Sequence, residues 1–74
     1  MAAEVVAFAV TGMHCTSCGM LIDETLEDLA GVERADTDAR RGRTIVRADL
    51  DVTSVGEIVA AIGEAGYTAV PERA

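Results

Sequence analysis

The sequence predicts an α+β fold: a four-stranded antiparallel sheet with two helices on one face, in the order β-α-β-β-α-β. Three observations carry that reading. Residues 4 to 11 alternate with period two, the mark of a half-buried strand. Two later stretches space their apolar residues by three and four, as a helix does when one stripe lies on a core. Between those helices, two strand-like runs flank the turn Ala39-Arg40-Arg41-Gly42 and pair naturally as a hairpin. Two helices packed on one sheet is a stable two-layer arrangement for such an order. The 74 residues suffice for about one small domain, so residues 1–74 are read as a single unit.

The elements follow in order. From Glu4 to Thr11, Val6, Phe8 and Val10 fall on one face, with Ala7 and Ala9 on the other. Gly12 ends this strand, and a loop of small, polar and sulfur-bearing residues runs to Ser17. A helix from Ser17 to Ala30 carries the stripe Cys18, Leu21, Ile22, Thr25, Leu26 and Leu29. Asp23, Glu24, Glu27 and Asp28 lie off that stripe and are expected to face water. Gly31 is placed to terminate the helix. Val32 to Asp38 is a weaker strand marked by Val32, Ala35 and Thr37. Thr44 to Leu50 is its partner, with Val46 and Ala48 on one face and Ile45 on the other. Ser54 and Glu57 have capping-box spacing at the start of a second helix, whose buried stripe is Val55, Ile58, Val59, Ile62 and Ala65. Gly56 and Gly63 weaken it by roughly 1 kcal/mol each relative to Ala. Gly66 ends it, Tyr67 to Val70 forms a last strand, and Pro71 is expected to stop the pairing.

Composition narrows the function. Thirteen acidic residues against six basic ones give a net charge of −7, which repels phosphate and argues against nucleic acid as a partner. Half the chain is hydrophobic, which excludes a disordered tail. Much of that half is Ala, with one Phe, one Tyr and no Trp, so the core must be thin. In a chain this short, apolar burial barely exceeds the roughly 1.5 kcal/mol per residue that ordering costs. A ligand that binds only the folded state therefore adds usefully to stability. The N-terminal run carries Glu4 and no basic residue, which does not read as an export signal, and it is too short to span a membrane. The expected location is the cytoplasm.

Cys15 and Cys18 are the only cysteines. A bond between them would close a tiny loop and restrain the unfolded chain little, so their closeness points to chemistry. They stand where a strand gives way to a helix. The unpaired N–H groups and positive dipole end of that helix favour thiolates, the metal-binding form. A closed structural zinc site needs four ligands, and two Cys and one His cannot supply them. Soft thiolates select soft ions such as Cu(I). Two ligands on an open loop leave the ion accessible to a third thiolate, as a carrier requires.

The stretch Gly12-Met13-His14-Cys15-Thr16-Ser17-Cys18 resembles the GMxCxxC signature of heavy-metal-associated domains. Leu21, Ile22, Leu26, Leu29, the Gly31-Val32 pair and Gly66-Tyr67 also fit that family, so the resemblance covers Glu4 to Val70. The family includes small bacterial copper chaperones, metal-binding modules of copper-transporting P-type ATPases, and mercury- and zinc-handling relatives. The resemblance implies a ferredoxin-like βαββαβ sandwich. It implies Cys15 and Cys18 as Cu(I) ligands, Met13 turned into the core beneath the metal loop, Gly12 permitting the exit from the first strand, and Tyr67 close to the sulfurs. His14 is either an exposed loop residue or a group that tunes the site.

The implied function is that of a cytosolic, non-enzymatic Cu(I) carrier that passes its ion to a copper-transporting P-type ATPase or to that protein's metal-binding domain. A copper-bridged homodimer is a further expectation. Three alternatives stand beside it: an excised metal-binding module of such an ATPase, a Hg(II) or Zn(II) carrier, and a CxxC thiol-redox protein. The redox reading suffers from the short chain and the lack of a Trp or Pro around the motif. Met20 is either a partner contact or a helix filler. Arg40, Arg41 and Arg43 are expected on a hairpin at the far end from the metal loop, as a solubility feature.

Overall fold

A computed structural model describes residues 3–13 and 16–72. Strand β1 spans Ala3–Thr11 and helix α1 Thr16–Glu27. Strands β2, Val32–Asp38, and β3, Arg43–Asp49, follow; then helix α2, Val55–Glu64, and strand β4, Thr68–Pro71. The strands form one antiparallel sheet in the order β2-β3-β1-β4. This is the βαββαβ ferredoxin-like sandwich that the sequence predicts.

The period-two pattern sets the two faces of the sheet. Phe8, Val10, Ala35, Val46, Ala48 and Ala69 turn inward and meet Ile22 and Leu26 of α1 and Ile58 and Ile62 of α2 in one buried cluster. The alternate positions lie on the open face, where Val5 is 65% exposed and Ile45 and Val70 are also exposed. Cross-strand ion pairs lie among the strands: Arg47 with Glu33 at 3.3 Å and Arg43 with Glu72 at 3.0 Å. The helices carry no basic residue, so the described arginines all belong to β2, β3 and the turn between them.

Helix α2 starts where its spacing predicts, with the serine half of the capping box formed. Ser54 is the N-cap, and its Oγ accepts the Glu57 amide at 3.1 Å. The Glu57 carboxylate accepts the buried Thr53 hydroxyl at 2.8 Å, so the acidic member of the box serves a side chain just outside the helix.

Three expectations need correction. Helix α1 ends at Glu27 rather than Ala30, because the chain tightens there. Leu29 donates to the Leu26 carbonyl at 3.0 Å and Val32 to the Leu29 carbonyl at 3.1 Å, with Gly31 at φ +93° completing the turn. Pro71 does not stop pairing. It stands opposite Phe8 within β4, and the Glu72 amide beyond it donates to the Ala7 carbonyl at 2.8 Å. An edge strand tolerates proline because one side of its backbone has no neighbouring strand. Leu21 is 47% exposed rather than part of the buried stripe. Gly19 is buried in that region, where α1 meets β2 so closely that a Cβ on Gly19 would stand 3.4 Å from both Thr37 Cγ2 and the Thr37 carbonyl oxygen.

Candidate metal-binding end

The chain leaves β1 through Gly12, whose φ of +99° is a conformation that side-chain-bearing residues rarely adopt. A Cβ there would stand 3.5 Å from Tyr67 Cδ1, so the tyrosine ring flanks the exit of the loop. Tyr67 is itself half-buried against the core, and its amide donates to the Ile62 carbonyl at 3.2 Å at the end of α2. Met13 is half-buried and also packs on the core. Cys18 lies in the first turn of α1 and is half-buried. The sequence-derived candidates Cys15 and His14 lie outside the described residues. The structure thus gathers Gly12, Met13, Cys18 and Tyr67 at one end of the sandwich.

The first turn of α1 contains no acidic residue, so no carboxylate of that turn offsets the positive end of its dipole. Two residues on, Met20 is 61% exposed next to the exposed Leu21.

The arginine turn stands at this same end, contrary to the sequence expectation. The Val10 amide donates to the Gly42 carbonyl at 2.7 Å, and Ala9 pairs with Arg43. The reason is geometric. Strand β3 runs antiparallel to β1, so the start of one lies beside the end of the other. Arg40 and Arg41 are exposed there, and the Asp38 carboxylate accepts both of their amides, at 3.0 and 3.3 Å.

The acidic face of α1 also departs from expectation. Glu24, Glu27 and Asp28 are exposed as expected, yet Glu27 also accepts the Ala35 amide at 3.2 Å, and the half-buried Asp23 accepts the Thr37 hydroxyl through Oδ1 at 2.6 Å. Strand β2 is a sheet edge with backbone N–H groups to satisfy, and carboxylates four residues apart on the facing helix supply acceptors. Burial pushes the Asp23 carboxyl above the usual aspartate range. The side-chain and backbone hydrogen bonds from Thr37 oppose that rise, and the nearby Asp36 and Glu27 charges add to it. Thr37 also bonds Thr44, which is fully buried on β3. The sequence signal for this group was present in the inward phase shared by Ala35 and Thr37, where a hydroxyl on a buried face requires a partner.

Residues 7–68 match the sequence pattern described as "Heavy-metal-associated domain". The chain belongs to that family. It is 30% identical over 66 residues to a mercuric transport protein periplasmic component of an Alcaligenes species, covering 89% of this chain and 72% of that protein. The apo form of a copper chaperone of Enterococcus hirae superposes with a TM-score of 0.85 at 30% identity, over 90% of this chain and 98% of the other. A copper-binding domain of a P-type ATPase superposes with a TM-score of 0.90 at 26% identity, over 93% of each chain. Among the described residues no helix is long and apolar enough to cross a membrane.

Proposed function

We propose that this protein is a cytoplasmic Cu(I) carrier in which Cys15 and Cys18 hold the ion as thiolates and surrender it to a thiolate pair on a partner. The observation that carries the reading is the GMHCTSC segment at the exit of β1, with Cys18 on the first turn of α1, in a chain of the heavy-metal-associated family. The likeness to a copper chaperone over nearly the whole of both chains supports copper.

Loading releases the thiol protons to solvent, because the ligands are thiolates. In transfer, a partner thiolate forms a third bond to Cu(I), one of the carrier's sulfurs leaves, and a second exchange completes the move. Each bond made is matched by one broken, and the ion stays monovalent, so the protein acts as a carrier and not as an enzyme. Met13 supports the loop from the core, and Gly12 gives it its exit. Tyr67 borders the loop and limits access to it, with His14 tuning the site from between Met13 and Cys15. The partner is a copper-transporting P-type ATPase or its metal-binding domain, in keeping with the likeness to such a domain. Two open two-sulfur sites can share metal through bridging sulfurs, which gives a homodimer only when copper is present.

A Hg(II) carrier is the second reading, favoured by the mercuric transport relative. Both ions accept two sulfurs, so the reading is decided by competition. Wild type and C15S/C18S are titrated with Cu(I), Zn(II) and Hg(II) against chelators of known affinity. The copper reading expects tight Cu(I) binding that disappears in the double variant, with Zn(II) much weaker. Tight Cu(I) binding retained by the double variant removes the site. Displacement of Cu(I) by equimolar Hg(II) under reducing conditions, at cell-like thiol concentrations, moves the assignment to mercury.

A further inference from the structure

Three hydroxyl and carboxylate groups link the helix that carries Cys18 to the sheet. Thr37 Oγ1 donates to Asp23 Oδ1 at 2.6 Å, and a hydroxyl has one proton to give. The bond between the Thr37 and Thr44 hydroxyls must then run from Thr44 to Thr37. The chain Thr44 to Thr37 to Asp23 therefore has one direction, from a fully buried group on β3 to a half-buried carboxylate on α1. Its middle member does a second thing. The Thr37 Cγ2 and carbonyl oxygen lie against Gly19, the residue after Cys18, with only enough space for a Cβ. The same residue thus holds α1 by a polar bond at its second turn and by packing at its first.

We propose that Thr37 is a positioning residue for the metal site: its hydroxyl link to Asp23 and its contact with Gly19 set where the first turn of α1, and with it the Cys18 sulfur, stands relative to the sheet. The inference rests on Cys18 being a metal ligand. A second tie, the Ala35 amide to the Glu27 carboxylate, holds the far end of α1. Loss of the Thr37 hydroxyl would leave Asp23 half-buried with one partner fewer and Thr44 buried with its hydroxyl redirected. The helix start would then sample a wider range of positions, and a two-sulfur site is sensitive to the separation of its sulfurs.

The test uses T37V, T37S and I58V, the last a core substitution in the first half of α2. In the metal-free protein, amide exchange is followed at Met20, Leu21 and Ile22 and compared with Ile58 and Ile62. T37V should speed exchange at the α1 amides while leaving those of α2 near wild type, and T37S should restore protection. Chelator competition should then show Cu(I) bound about tenfold more weakly by T37V, the low end of the range for groups that orient metal ligands. T37S should bind within about twofold of wild type, and I58V should bind as wild type does. Uniformly faster exchange in both helices, or unchanged affinity in a folded T37V, overturns the proposal. If T37V does not fold, D23A removes the same link from a half-exposed position and is read by the same two measurements. The exchange result needs no metal, so it stands even if C15S/C18S shows that the cysteines are not the site.

Discussion

The Val10 amide donates to the Gly42 carbonyl at 2.7 Å, and this bond ties the arginine turn to the end of β1 from which the cysteine loop departs. Gly42 sits at φ +63°, and a Cβ there would lie 2.8 Å from the Val10 carbonyl oxygen. Neither atom can move without disturbing the β1–β3 register, because Ala9 pairs with Arg43 one step away. A basic, exposed turn is thereby held beside the loop at short range, in a protein whose net charge is −7.

Substituting Gly42 with Ala should therefore be costly for a one-carbon change. The left-handed conformation alone disfavours Ala by about 1 kcal/mol, and the close approach of backbone oxygen adds to it. Urea unfolding of G42A should give a lower midpoint with an unchanged slope, the mark of a stability change without a change in exposed surface. A midpoint equal to wild type would show that the turn can relax away from β1.

Asp23 predicts a pH dependence of unusual sign. Its folded carboxyl titrates above the ordinary aspartate value because burial outweighs the bonds from Thr37. Between the unfolded value and that raised folded value, the native state binds more protons than the unfolded one, so this residue's contribution to stability falls as pH rises. It is fully present below the unfolded pKa and lost once pH has passed through the folded one. The other carboxylates obscure this in a single curve, so wild type is compared with D23N by urea unfolding at steps from pH 7 down to 3.5. The difference in stability should move in favour of wild type on acidification. A flat difference, or movement in favour of D23N, contradicts the raised value.

Much of the fold is legible in the residues themselves. Alternation in β1 and β3 and the Ser54 to Glu57 spacing fix their elements, because each signal arises within a few residues of the structure it specifies. Apart from the early end of α1, which is set by its own local turn, the misreadings depend on a distant strand. Asp23 reads as solvated because carboxylates on a helix usually are, yet Thr37 on β2 gives it a partner and it is half-buried. The arginine turn reads as remote until the antiparallel return of β3 brings it beside β1. Leu21 fits a helical stripe by spacing, but Gly19 allows α1 so near β2 that the buried face turns toward Gly19, Ile22 and Leu26. At the candidate site the loop signature reads directly from sequence, whereas the placing of Tyr67 beside Gly12 depends on where α2 delivers the chain.

Among the described residues, Phe8 is the only fully buried aromatic, in a core otherwise built mostly from aliphatic side chains. Truncating it to Ala should cost about 3–5 kcal/mol, from lost burial plus whatever cavity the core leaves unfilled. A protein of this size has a total stability near the lower end of the usual ~5–15 kcal/mol. F8A should therefore populate the unfolded state measurably at 25 °C, seen as loss of far-ultraviolet dichroism with a reduced urea midpoint. A fully folded F8A with a wild-type midpoint would mean that the sandwich collapses around the gap.

If the CxxC pair binds Cu(I), loading should raise the melting temperature, but by less than mass action first suggests. A ligand at a thousand times its Kd stabilises a folded protein by about 4.1 kcal/mol when the unfolded chain does not bind it. Here the two cysteines are three residues apart, so the unfolded chain keeps them close and retains part of the affinity. Only the excess affinity of the folded site appears as stability. That excess comes from what the fold adds: the end of α1, the packed Met13 and the Gly12 exit bordered by Tyr67. For a domain of this size each kcal/mol moves the midpoint by about 4–8 °C, so a rise of several degrees is measurable even when most of the affinity is shared by both states. Thermal scans of metal-free and Cu(I)-loaded protein should show that rise, and C15S/C18S should show none. An equal rise in the double variant would place the stabilising copper elsewhere. No rise in wild type, with tight binding intact, would mean that the fold contributes nothing to the grip of the two sulfurs.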